Sequence, residues 1–249
     1  ISSMAQKSLK PNARKEEFLD LAEELFASLG YENTSVDRIV SEIGLSKGAF
    51  YHHFRSKSDL LDAALSRMLQ RVEGQLTELL ETKVPAIEKL RNFILCLDAV
   101  TSENRKSSLQ IGKFLLQDAN AMLLRRMSRA ANRRFVPMLA TILEQGVLEA
   151  KFHLDHPQLV ARIVWELGEA MDEALTRLLI ETPGNRIELS ELSNIYNTYM
   201  LAVERVIGAP EKSLHLTDDT MLRSWIKAIP HNGVVRSQTA ILQTFPRDR

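Results

Sequence analysis

A chain of 249 residues, 45% of them hydrophobic, can bury one large core or a small and a medium one, which excludes a wholly disordered protein. Its 32 basic residues equal its 32 acidic ones, so global charge is no argument for nucleic acid and any such claim must rest on local charge. Cys96 is the single cysteine, which rules out an internal disulfide framework and fits a reducing cytoplasm, and the scarcity of Gly (10) and Pro (8) beside periodic apolar residues predicts an all-α chain.

No apolar run approaches the ~20 residues of a membrane span, and no signal-peptide pattern precedes the first periodic segment. The expectation is a cytoplasmic protein with no membrane partner. Ile1–Ser3 ahead of Met4 read as a tag remnant, and residues 1–11 as a disordered arm carrying Lys7 and Lys10. With Arg14 and Lys15 this basic stretch is either a minor-groove or phosphate contact or simply a solvated terminus.

Phe18, Leu21, Ala22, Leu25, Phe26 and Leu29 fall at helical spacing, so a first helix is predicted from about Asn12 to Leu29, with Gly30 closing it. Thr34 or Ser35 is expected to cap a second helix with apolar positions Val36, Ile39, Val40 and Ile43. Gly44 suits a tight left-handed exit, and Ser46 is placed to cap a third helix from Lys47 to about His53. Short helix, glycine turn, short helix is the helix-turn-helix pattern. On the third helix, Phe50 and Phe54 should pack inward while Lys47, Gly48, Tyr51 and His52 share the opposite face. A recognition helix needs such a face, slim at its start and rich in donors beyond. Between Glu42 and Asp59 there is no acid, whereas Lys47, Arg55, Lys57 and two histidines supply the positive field that phosphate requires. Ser56 and Asp59 have the spacing of a capping box for a fourth helix.

The stretch from about Ala13 to Leu65, and above all GLSKGAFYHHFRSKSDLL, resembles the TetR/AcrR family of regulators. Gly44, Ser46, Lys47, Gly48, Tyr51, His53, Phe54, Lys57 and Leu60 sit as that family's pattern expects. The resemblance implies a homodimer, in most members a repressor, with an N-terminal three-helix helix-turn-helix domain and a C-terminal helical domain for ligand binding and dimerisation. It also implies DNA contacts at Thr34, Ser46, Lys47, Gly48, Tyr51, His52 and Lys57. Tyr51 would reach a phosphate, Lys57 the backbone beside the groove, and Thr34 a phosphate at the second helix's N-terminus. Lys47 and His52 would reach base edges. His53 is open between an intradomain hydrogen bond and a phosphate contact. Val40 departs from the Ala usual at that close helix crossing.

Residues 12–60 are therefore expected to form the DNA-binding domain, 61–209 the ligand-binding and dimerisation domain, and 210–249 an extension outside the shared pattern. The fourth helix continues through Leu61, Ala64, Leu65, Met68, Leu69, Val72, Leu76 and Leu79 into the second domain. Pro85 is expected in the first turn of the next helix, which has Phe93, Ile94, Leu97 and Val100 on its apolar side. Leu109, Phe114, Leu115 and Leu116 suggest another, and residues from about Ala121 to Glu149 a long one that Pro137 should kink or break. The widest apolar stripes lie at about 157–180 and 188–207. Their width predicts burial on more than one side, and the resemblance makes them the homodimer interface. A short amphipathic helix capped by Thr217, with Met221, Leu222, Trp225, Ile226 and Ile229, should end at Pro230 and Gly233. It would pack over the sensor domain or the dimer seam, or belong to a poorly ordered tail.

For an unknown small-molecule effector, candidate pocket residues are Phe93, Cys96, Met122, Met138, Trp165 and Glu169, each equally readable as ordinary core. Arg125, Arg129 and Arg133 share a face beside Arg126 and Arg134, which fits an anionic effector or a salt-bridged surface. His153, Asp155 and His156 give only a weak metal signal, and neither metal nor cofactor is expected. Walker A, Rossmann, HExxH and nucleophile-elbow motifs are all missing, so an enzyme is not expected. A DNA-binding structural protein without ligand is the other rival, distinguished by a fully packed C-terminal core.

Overall fold

The computed structural model describes residues 11–102, 109, 112–113, 115–182, 186–215 and 219–229. The arm with Lys7 and Lys10, Phe114, the Val100 side chain, the Thr217 cap, and the tail from Pro230 lie outside them. The described elements are α-helices α1 (Pro11–Leu29), α2 (Val36–Ile43), α3 (Lys47–His53), α4 (Lys57–Glu81), α5 (Ala86–Ser102), α6 (Ala121–Leu148), α7 (Pro157–Glu181), α8 (Leu189–Ile207) and α9 (Thr220–Ala228). A short 3₁₀ turn, Asp118–Asn120, precedes α6. The fold is all-α, as the periodicity predicts.

Helices α1 to α3 and the start of α4 enclose a small core of Phe18, Ala22, Leu25, Ile39, Phe50, Phe54, Leu60 and Ala64. Phe18 meets Phe50 and Phe54 edge-on, with ring centroids 5.6 and 6.0 Å away. Such pairs add roughly 0.5–1.5 kcal/mol each beyond their buried area. Gly44, at φ 73°, ends α2 in the left-handed conformation, and its N–H bonds the Ser41 carbonyl. Only a residue without Cβ turns there at little cost, so α3 can follow after two residues. Ser35, Ser46 and Ser56 each accept a backbone N–H bond at the start of α2, α3 and α4. The Asp59 carboxylate reaches back to the Arg55 N–H at 2.9 Å, one residue upstream of a standard capping box.

The second core lies among α4 to α8, centred on Leu76, Leu90, Phe93, Phe135, Leu139, Ile142, Leu143, Phe152, Met200 and Ile207. Helix α4 contributes to both cores, Leu60 and Ala64 to the first and Leu69, Val72 and Leu76 to the second. It is one rigid element shared by the two domains. Its outer face is tied back by arginines. Arg67 binds Glu16, Asp20 and Glu23 of α1, while Arg134 of α6 binds Glu73 at 2.8 Å and Ser66 at 3.0 Å.

Helix α6 runs unbroken past Pro137, contrary to the expected break. The proline costs its backbone bond, but Phe135, Leu139, Ala140, Ile142 and Leu143 around it are buried, and that packing offsets the loss and keeps the helix continuous. Pro85 stands immediately ahead of α5 rather than inside it. Its carbonyl accepts the Lys89 N–H, and the Glu149 carboxylate accepts the otherwise free Ala86 N–H at 2.9 Å. The extension after 209 is not separate from the second domain. Glu204 of α8 is buried, and its carboxylate accepts the Lys212 and Leu214 N–H groups at 2.9 and 2.7 Å. Helix α9 then packs Leu222 with Leu179, Ile187 and Leu192.

Candidate functional site

The third helix presents two faces. Phe50 is fully buried and Phe54 nearly so, whereas Tyr51 is 55% exposed and Lys47, Gly48 and His52 also face solvent. Lys47 Nζ pairs with Asp37 of α2 at 2.7 Å, an exposed ion pair. Asp37 lies outside the acid-free interval, so charge spacing along the chain does not reveal it. Its hydrogen bond and charge raise the Lys47 pKa, which keeps the lysine cationic. Exposed pairs of this kind contribute little and are exchanged readily for a phosphate. Ser46 spends its lone pair on the Ala49 N–H at 3.2 Å but keeps its hydroxyl proton for a partner. His53 packs between Phe18 and Phe54, and burial, then the neighbouring His52, lowers its pKa. Its intradomain setting favours a packing role.

Two expectations need correction here. The Thr34 side chain is fully buried, with its hydroxyl donating to the Gly30 carbonyl at 2.8 Å and its N–H to Tyr31. It ties the loop between α1 and α2 and offers nothing to a phosphate. Lys57 turns inward as well: Nζ donates to the Tyr31 carbonyl at 2.8 Å and lies 4.0 Å from the Tyr31 ring centroid. That clamp fixes the same loop under α2.

The second site is a cavity of about 320 Å³ inside the bundle. Its walls come from α5, α7 and α8 with Leu139 of α6, and α9 adds Met221, Leu222 and Trp225 at one end. Phe93, Trp165 and Glu169 line it as expected. Cys96, Met122 and Met138 do not. The Cys96 thiol turns to Gln75 of α4 at 3.4 Å, Met122 is 70% exposed on α6, and Met138 packs against the core. Helical spacing identifies apolar faces but not which of them a void separates.

Residues missed from the sequence are Asp98, Asp172, Tyr196 and Trp225. An acid set within a wide apolar stripe was the available signal, since Asp98 follows Leu97 and Asp172 follows Met171. Glu169 accepts the Ser128 hydroxyl at 2.6 Å, and Asp98 accepts the Trp225 indole N–H at 2.9 Å. Asp172 is an exposed residue that borders the cavity among mostly apolar side chains. Desolvation, then the charges of Asp98 and Glu169, push its pKa from 3.8 up to about 6. Burial and Asp98 push Tyr196 to about 12.

The Asp172 shift has a measurable consequence. The unfolded carboxyl ionises near 3.8 and the folded one near 6, so the folded state is penalised as pH rises through that window and fully penalised above it. Asp172→Asn should therefore stabilise the protein at pH ~7.5 by about 1 kcal/mol, solvent screening of the open side chain keeping the gain small, and the advantage should shrink toward zero near pH ~4. Denaturant melts of both proteins at the two pH values check this. A stability gap that ignores pH would show the carboxyl to be well solvated.

The arginine face of α6 is structural where it is engaged. Arg126 pairs with Asp62 and donates to Ser58 at 3.0 Å, and none of Arg125, Arg126, Arg129, Arg133 and Arg134 lines the cavity. His153 donates Nδ1–H to the Gly208 carbonyl at 3.0 Å, a link between the α6–α7 loop and the end of α8.

A three-helix unit with a glycine turn and an exposed polar face, joined through one long helix to a bundle holding a cavity, defines a helix-turn-helix regulator. Residues 18–64 match the family described as bacterial regulatory proteins, tetR family. Over those residues the chain carries a TetR-family N-terminal domain. It is 28% identical over 147 residues to the HTH-type transcriptional repressor KstR2 of Mycolicibacterium smegmatis, covering 59% of this chain and 71% of that protein. An HTH-type transcriptional repressor of Mycobacterium tuberculosis is 47% identical over 55 residues, 22% of this chain and 29% of that one. Among solved structures, a TetR-family regulator from Pectobacterium atrosepticum superposes with a TM-score of 0.60 at 20% identity, over 84% of this chain and all (100%) of that chain. The fold is thus shared well beyond the matched domain. Among the described residues no helix is long and apolar enough to cross a membrane.

Proposed function

We propose that this protein is a cytoplasmic, ligand-responsive repressor that binds a near-palindromic operator as a homodimer and leaves it when a small molecule fills the cavity. Ser46, Lys47, Gly48, Tyr51 and His52 meet the major groove. The observation that carries ligand response is the cavity, because a purely structural DNA-binding bundle has no use for a void of about 320 Å³. Dimerisation through α7 and α8 is supported by apolar side chains left in water, Leu159 at 64% and Ile163 at 48% exposure on one face of α7. A two-fold axis there would pair the two α3 helices on half-sites one or more helical turns apart.

A physical route joins cavity to DNA face. Glu169 in the cavity wall holds Ser128 of α6, and two residues away Arg126 grips Ser58 and Asp62 at the start of α4. A ligand that moves α7 would shift α6 and with it the base of the recognition unit. It weakens operator binding only by its differential affinity for the two states.

Thermal-shift screening of a metabolite library, followed by operator binding with each hit, tests this. A ligand at a hundredfold its Kd raises stability by about 2.7 kcal/mol, and the same compound should lower operator affinity. Gly168→Leu, at a cavity position where an added Cβ meets nothing within 4 Å, should block both effects. Hits that fill the cavity yet leave operator binding unchanged would favour a structural DNA-binding protein.

A further inference from the structure

The cavity's lining is apolar apart from a few groups, and the charged ones share a sign. Asp98, Glu169 and Asp172 border it, whereas among the described residues that line it there is no lysine, arginine or histidine. Two of the carboxylates are held by protein donors, Glu169 by Ser128 and Asp98 by Trp225. Asp172 has neither a hydrogen bond nor an ion pair among the described residues. An unpaired carboxylate set beside two others on a mostly apolar wall is costly to keep charged, and no basic side chain in that lining offsets it. Trp165 has its indole N–H buried without an acceptor at the same wall, a donor that a lone pair on a ligand's body would meet and a cationic charge would not. Aromatic rings of Phe93, Trp165, Tyr196 and Trp225 border the same space. Ring faces attract cations and repel anions.

We propose that the cavity takes an apolar organic cation, an amine or quaternary ammonium on an aromatic or alkyl body, with its charged nitrogen at the Asp172 carboxylate. The proposal rests on reading the cavity as the sensing site. The cation supplies the counter-charge that the bundle lacks, and its apolar body replaces water against Phe93, Leu139, Val164 and Met200. Trp225 makes the extension part of the recognition: it holds Asp98 and borders one end of the cavity through α9. An anionic effector, one of the two meanings open for the α6 arginines, meets three carboxylates and no cation in this lining.

The test is calorimetry on the full chain with phenoxybutyltrimethylammonium and, as an anion of matched shape, phenoxybutane sulfonate. The ammonium should bind and the sulfonate should not. Asp172→Asn should weaken the ammonium by about tenfold or more, the loss expected for one charge-assisted contact, and Asp172→Glu should restore part of it. Thermal melts of the same variants separate lost binding from lost folding. Equal or tighter binding of the sulfonate, undiminished ammonium binding to Asp172→Asn, or no ammonium binding to wild type each overturns the proposal. Release of operator by the sulfonate would overturn the charge assignment and leave the sensing cavity standing. Ammonium binding that leaves operator affinity unchanged would keep the cation site and remove its role as sensor.

Discussion

Replacing Lys47 and Tyr51 together with alanine is expected to lower operator affinity on the order of a hundredfold, from two contacts of roughly 1.4 kcal/mol each. Both side chains stand on the exposed face of α3, and neither belongs to the N-terminal core. Phe50 lies beneath them, fully buried, so truncation removes recognition without loosening the helix. Helicity, melting temperature and dimerisation should stay as in wild type. Loss of the Lys47 charge should also reduce the salt slope of binding by about one. Fluorescence anisotropy on a mapped operator at several salt concentrations reads both quantities. Wild-type affinity in the double variant would move the DNA contact off α3 altogether.

Gly146→Ala should cost about 3 kcal/mol of stability, seen as a fall of roughly 10 °C in melting temperature. Near the end of α6 the chain folds back through Ala150, at φ 51°, and both the Lys151 and Phe152 N–H groups bond the Gly146 carbonyl. Phe152 thereby lies directly on Gly146, where an added Cβ would stand 1.9 Å from a ring carbon. The ring is 2% exposed and wedged in the larger core, so it cannot swing away. Phe152→Ala should itself cost about 3–5 kcal/mol, by leaving a void. The two effects are coupled. With the ring gone the clash vanishes, so the double variant should be no less stable than Phe152→Ala alone. Additive losses in that cycle would mean that Gly146 acts through backbone conformation and not through the ring.

This contact was not legible in the sequence, and the reason is general. Gly146 and Phe152 look like an unremarkable helical glycine and a loop aromatic until the chain reverses between them. The DNA-reading unit was legible because its information is local. Ser35, Ser46 and Ser56 cap adjacent N–H groups, Gly44 sets a turn by its own φ, and Phe50 and Phe54 sit one helical turn apart. Thr34 escaped for the opposite reason. A hydroxyl at a helix start can face outward or inward, and packing against Leu25 and Gly30 turned it inward.

Short-range chemistry along the chain therefore specifies the all-helical class, the helix-turn-helix and the long apolar stripes, since caps, turns and 3.6-residue periodicity act between neighbours. The cavity, its carboxylates and the docking of α9 emerge when segments as distant as Asp98 and Trp225 are brought within 2.9 Å. A void forms where facing side chains fail to fill the space between helices. That is a property of their three-dimensional meeting, invisible in any one helix.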